Sequence, residues 1–185
     1  MSIFEELQQA IIDGKAPVAK EITDKGYCST KDMYYYGLKL HALGYRRAHQ
    51  LPYPEQFLLT TASENDLNLF RQAWGGIENR TFFGDKIYHD GEYFDNAFKN
   101  QNSIMLTPVK GVKGQAETIK MWDKAANDLF STSVSRVRQP IESLFNWLIE
   151  KTDIQRASKV RSTKGLMVHV FGRIAAAYIF LIFNS

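Results

Sequence analysis

Cysteine is nearly absent. Cys28 is the single one among 185 residues, which excludes a disulfide framework and a cysteine-built zinc site and fits a reducing compartment. Histidine is scarce too. His41, His49, His89 and His169 stand far apart, so no His/Cys cluster offers the ligand spacing that zinc takes. The chain opens MSIFEELQQA, acidic and amphipathic, without the basic region and apolar run of a secretory signal. An excess of one charge is missing as well. With 23 Lys+Arg against 20 Asp+Glu the net charge is only +3, so nothing at the level of the whole chain demands nucleic acid. No internal repeat, low-complexity tract or interdomain linker interrupts it.

What is present describes an ordinary globular chain. The composition is 44% hydrophobic, 23% charged and 13% aromatic, which rules out collagen-like and disordered classes. A domain of this length covers roughly 70% of its unfolded surface. The expectation is therefore a single domain over 1–185. One long apolar run, GLMVHVFGRIAAAYIFLIF from Gly165 to Phe183, approaches the ~20 residues of a membrane span. His169 and Arg173 interrupt it, and an arginine near the centre of a span costs ~2.5–3.5 kcal/mol. The expectation is a helix buried in a soluble core, with no membrane partner.

Periodicity changes midway along the chain. Residues 8–62 have strand character: QQAIIDGKAPVA, then YYYGLKLHALGY, then PEQFLLTTA. Leu51-Pro52-Tyr53-Pro54 marks a turn, since proline fixes its own φ and restrains the residue before it. Ser63, followed by Glu64, Asn65 and Asp66, is placed to cap a helix. Leu67, Phe70 and Trp74 give that helix its apolar side, and Gly75-Gly76 ends it. TFFG and SIMLTPV are further short strands, with a short helix over 91–99. From Gln115 the pattern is helical, with Pro140 expected at a kink or in the first turn of a new helix. The order of elements predicts one α/β or α+β domain. The stretch 136–164 holds seven Lys/Arg against three acids, so the small net charge hides a basic C-terminal third. Trp74, Trp122 and Trp147 are expected in the core.

Three acids stand out by context. Asp13 follows Ala10-Ile11-Ile12, and Asp85 follows Phe82-Phe83-Gly84. A carboxylate abutting a buried strand is penalised by desolvation unless something positive neutralises it. Two brought together repel unless a divalent cation lies between them, and hard oxygen donors suit Mg²⁺ or Mn²⁺. Glu142 lies on a helix in RQPIESLFNW, four residues after Arg138. Each acid alone has a plainer reading. Asp13-Gly14 is a hairpin signal, strand-end aspartates cap turns, and Arg138 with Glu142 is a helical ion pair worth about 0.3–0.5 kcal/mol. Lys39 and His41 are expected on the solvent side of their strand, and His89 is expected to be structural or solvated.

Four stretches together resemble the catalytic domain of bacterial insertion-sequence transposases of the DDE type. They are AIIDGKAPV, GYCSTKDMYYYGLKLHAL, FFGDKIYHD and RVRQPIESLFNWL. The last sets an arginine and a glutamate three intervening residues apart. The likeness runs from about residue 8 to the C-terminus. It implies a ribonuclease-H-like α/β fold, a mixed sheet flanked by helices. By the same likeness Asp13, Asp85 and Glu142 form a catalytic triad that binds two Mg²⁺ or Mn²⁺ ions, about 3.5–4 Å apart in two-metal sites. Arg138, Lys151, Lys39 and Lys86 become DNA contacts. The implied activity is metal-dependent cleavage and strand transfer at insertion-sequence ends. The implied partner is double-stranded DNA at element ends and target, with a homodimer as a further possibility and the bacterial cytoplasm and nucleoid as the place. Two positions depart from the family pattern. Ser135 replaces a tyrosine three residues before the arginine, and Ile149 replaces a basic residue seven after the glutamate, which leaves Lys151 as the nearest cation. Only twelve residues precede Asp13, where full-length relatives carry an N-terminal DNA-binding region. The alternative expectation is an inactive remnant that binds DNA or a protein partner.

Overall fold

The computed structural model describes residues 19, 21–28, 31–157, 160 and 162–183, with the side chains of 96–98 set aside. They fall into two compact units. One holds the described residues up to Tyr45, Tyr53–Glu64, and the chain from Ser143 on; the other holds Arg46–Pro52 and Asn65–Glu142.

The first unit contains a three-stranded antiparallel sheet. Its strands are β1 (Asp24–Cys28), β2 (Met33–Tyr45) and β3 (Tyr53–Thr61), in the order β1-β2-β3. β2 is rich in tyrosine and leucine, side chains that suit a pleated, half-buried surface. It pairs with β3 from Leu38↔Thr61 to Tyr45↔Tyr53, with a bulge between Leu43 and Gly44. Gly26 lets β1 approach closely, because a Cβ there would meet the Tyr35 ring at 2.7 Å and Ala62 at 2.8 Å. Ser63 does not cap a helix. Its backbone N–H donates to Asp24 Oδ1 at 2.8 Å and its hydroxyl to Oδ2, which fastens the end of β3 to β1. His41 is buried at 7% exposure, with Nε2 2.8 Å from Thr60 Oγ1. The solvent-facing expectation fails for it because a hydroxyl one strand away satisfies the ring.

The helices of this unit follow. The last part of α2, a helix that runs over Glu117–Thr152 once the first short helix is counted, contributes buried Leu144, Leu148 and Thr152. Asp153, in a left-handed conformation at φ 52°, ends it and donates its N–H to Ile149 O at 2.8 Å. α3 (Thr163–Phe183) is the long apolar run of the sequence. By length and composition it is a helix able to cross a membrane. Only Val170, Ile174 and Ala177 are buried, one stripe at helical spacing. The buried-core expectation therefore holds along that stripe alone, while Val168, Phe171, Ile179 and Ile182 are exposed. Tyr178 donates its hydroxyl to Pro54 O at 2.7 Å and sets its ring against Tyr53 and Phe57.

The second unit is built around Phe70. The first helix, α1 (Asp66–Leu69), is capped by Asn65, whose side chain accepts from the N–H of Leu67 and Asn68. It continues into a π-helical turn over Phe70–Trp74. The Phe70 ring meets Phe82 at 5.2 Å, Phe94 at 5.7 Å, Tyr88 at 5.8 Å and Trp74 at 6.1 Å, each near edge-to-face, the arrangement aromatic quadrupoles favour. β4 (Thr81–Phe83) and β5 (Ile104–Leu106) pair in parallel, Phe82 opposite Met105. Thus the antiparallel and parallel strands of a ribonuclease-H-like α/β fold are present as a three-stranded sheet and a two-stranded pair. Glu117 to Glu142 of α2 complete this unit.

Two further expectations change. Pro140 lies inside an unbroken α2 and neither ends nor starts a helix. Of the tryptophans, Trp74 is buried and Trp147 partly so, but Trp122 is 79% exposed on the first turns of α2.

Candidate active site

Asp85 is delivered by β4. Burial of Phe82 under Phe70 anchors the strand, and the Gly84 N–H donates to Leu106 O at 3.0 Å, one step beyond the ladder. Gly84 itself has no room for a side chain. A Cβ there would lie 2.8 Å from the Tyr88 ring and 3.0 Å from Met105 Sδ. The chain therefore turns tightly right after the strand and leaves Asp85 exposed at its end. Asp85 caps a 3₁₀ turn over Lys86–Tyr88, with Oδ1 accepting from the Ile87 N–H at 2.8 Å. That bond fixes the direction of the carboxylate. The Tyr88 phenol of the same turn is pushed well above its ordinary pKa, first by burial, then by the charges of Asp66 and Asp85.

Glu142 comes from α2 and faces the same cavity, an open hollow of about 670 Å³. Asp85, Lys86, Pro108, Arg138 and Glu142 line it. Ser131, Thr132, Ser135, Arg136 and Gln139 complete the wall. The helical residues recur at spacings of three and four, so they form one face of α2. Ser131 ties that face to the chain after β5, since its hydroxyl accepts from the Val109 N–H at 3.1 Å. Arg138 Nη2 lies 2.7 Å from Glu142 Oε1, with side-chain exposures of 26% and 54%. Arg138 Nε is buried and makes no hydrogen bond among the described residues.

Two acids far apart in sequence thus line one hollow with three cations. Carboxylates in an open cavity are hard oxygen donors. That chemistry fits Mg²⁺ or Mn²⁺, which bind through one or two carboxylates and keep several waters. Among the described residues no group of three His, Cys, Asp or Glu is gathered tightly enough to hold a metal. Asp13, the remaining acid of the expected triad, lies outside the described residues.

The other expected contacts are distributed differently. Lys86 lines the cavity beside Asp85. Lys39 and Lys151 belong to the other unit. There Lys39 Nζ donates to Glu64 O at 2.7 Å, and Lys151 is exposed in the last turn of α2. His89 is exposed next to the 3₁₀ turn, and His169 Nε2 lies 3.0 Å from Ile154 O. Along the sequence Arg136 stood out only within the basic stretch 136–164 and Ser135 only as a departure from the family pattern, while Ser131 and Thr132 drew no attention. The signal was available, because stepping back from Glu142 by helical turns reaches Arg138, Ser135 and Ser131 in succession.

The family model for the transposase DDE domain matches residues 6–180. The chain belongs to that family. No curated protein and no solved structure matches it. The family is one of DNA phosphoryl-transfer enzymes that use divalent metal ions, with DNA as the partner. The match covers both carboxylates of the cavity, Asp85 and Glu142, and the position of Asp13.

Proposed function

We propose that this transposase-family chain cuts and joins DNA strands at insertion-sequence ends, with Asp13, Asp85 and Glu142 holding Mg²⁺ or Mn²⁺. The observation that supports the reading most is the placement of Asp85 and Glu142 on one cavity with Lys86, Arg136 and Arg138. Bound divalent ions would supply neutralisation of the scissile phosphate and a more acidic nucleophilic hydroxyl. The remaining work falls to the chain itself. The cap to Ile87 holds the Asp85 carboxylate in a fixed direction, which limits the reorganisation needed when DNA arrives. Lys86 and Arg138 offer positive charge to phosphate oxygens beside the carboxylates. Arg136 and the hydroxyls of Ser131, Thr132 and Ser135 extend that polar wall along α2, so a strand bound there meets donors over about three helical turns.

The reading is tested by Mg²⁺-dependent nicking of duplex DNA with Asp85→Asn and Glu142→Gln. Each is expected to lower the rate by about 100-fold or more, the scale of removing a group that organises charge in the transition state. Both positions are exposed, and Asn retains a cap acceptor, so thermal unfolding is expected to stay within about 0.5 kcal/mol of the unsubstituted protein. Nicking at an undiminished rate in either variant defeats the assignment. Salt-sensitive binding of DNA without nicking by the unsubstituted protein leaves a DNA-binding remnant in place of an enzyme.

A further inference from the structure

We infer that Arg138 is a resident counter-ion of Glu142 that a divalent cation must displace, so that Arg138 sets the metal affinity of the cavity. The inference rests on the metal-binding reading of Glu142 and goes beyond it. Three observations carry it. The guanidinium holds Glu142 Oε1 through Nη2 at 2.7 Å, so the chain itself supplies a cation to this carboxylate. Arg138 is the more buried of the two, and a charge partly withdrawn from water interacts with its partner more strongly than a pair on the open surface. Finally, Arg138 Nε is buried without a hydrogen-bond partner among the described residues, although guanidinium N–H groups are donors that need acceptors.

Together these describe a pair with a place to separate. A cation that binds Glu142 competes directly with the guanidinium for the carboxylate, and the two positive charges then repel. Arg138 released from Glu142 retains the Nη donors of its fork. A phosphate oxygen in the cavity would accept from that fork. Metal and phosphate would therefore favour each other at this site, because each removes the competitor of the other. In the absence of both, the pair keeps Glu142 neutralised, and the cavity holds metal weakly.

The test is Mn²⁺ titration of the full chain, free of DNA, followed by the paramagnetic signal of unbound Mn²⁺. Arg138→Gln is expected to bind Mn²⁺ roughly three- to tenfold more tightly than the unsubstituted protein. Arg138→Lys, which keeps the charge, is expected to stay close to the unsubstituted value. Glu142→Gln is expected to weaken binding. A tighter site on removing a side chain is not an effect that loss of structure produces, and Arg138→Met repeats the measurement with a different neutral replacement. If Glu142→Gln weakens Mn²⁺ binding while neither neutral variant tightens it, the counter-ion role is overturned and the metal reading survives. If Glu142→Gln leaves Mn²⁺ affinity unchanged, the metal reading of Glu142 falls, and the counter-ion role with it.

Discussion

Gly84 and Asp85 show how one atom decides where a carboxylate stands. The missing Cβ at Gly84 brings Tyr88 and Met105 together under the chain, and Asp85 then caps the turn that carries Tyr88. The consequence can be measured at high pH. The Tyr88 phenol is raised by burial and by the Asp66 and Asp85 charges, so above about pH 10 the unfolded chain loses its proton before the folded one does. Stability that is fully present below that value is expected to decline as pH rises beyond it, because the folded state there binds more protons than the unfolded state. Denaturant unfolding from pH 8 to pH 11.5 checks this. Tyr88→Phe, which has no proton to lose at that position, is expected to show a shallower alkaline decline. An equal decline in both proteins would refute the account.

Elements place the second carboxylate. α2 carries Glu142 and Arg138 one turn apart, and Pro140 stands between them in an unbroken helix. Proline has no N–H for the Arg136 carbonyl, and its ring crowds that carbonyl. Pro140→Ala restores the missing donor and is expected to raise stability by about 1–3 kcal/mol, on the scale of proline's penalty in a helix interior. Chemical denaturation measures it; an unchanged or lowered midpoint shows instead that the helix already accommodates the proline without that penalty. The same helix corrects the reading of Trp122, whose apolar character suggested the core. Hydrophobicity alone does not bury a residue, since more than half of a folded surface is contributed by apolar atoms. α3 makes the same point, with one buried stripe and a wide exposed apolar side.

At the scale of the whole molecule, charge is unevenly distributed. The net value is +3, but Lys86, Arg136 and Arg138 converge on the cavity that holds Asp85 and Glu142. DNA affinity measured against salt tests what that convergence does. Binding that neutralises phosphates falls linearly with the logarithm of salt concentration, with a slope of about −0.9 per phosphate contact. Lys86→Ala and Arg136→Ala are each expected to reduce the slope by about one contact and to weaken binding at every sequence alike. A slope that neither substitution alters would remove this wall from the DNA path.

Much of this was legible along the chain. The aromatic and apolar run YYYGLKLHALGY becomes β2, the short apolar run TFF becomes β4, and Leu144 and Leu148, one turn apart, lie on the buried side of α2, where helical periodicity states which side faces the core. The Gly-Asp that follows β4 and the Arg138–Glu142 step on a helix were equally visible. Other features depended on neighbours in space. Ser63 and Asn65 are both good capping residues, and only the proximity of Asp24 assigned Ser63 to the sheet. His41 looked solvent-facing until the Thr60 hydroxyl of the neighbouring strand met its ring. The identity and spacing of residues determined the elements and the three acids worth watching, Asp13, Asp85 and Glu142. That Asp85 and Glu142 share a cavity, and that Arg138 is already engaged there, was decided by tertiary structure, since a strand end and a helix face meet only when the aromatic cluster around Phe70 and the chain after β5 bring them together.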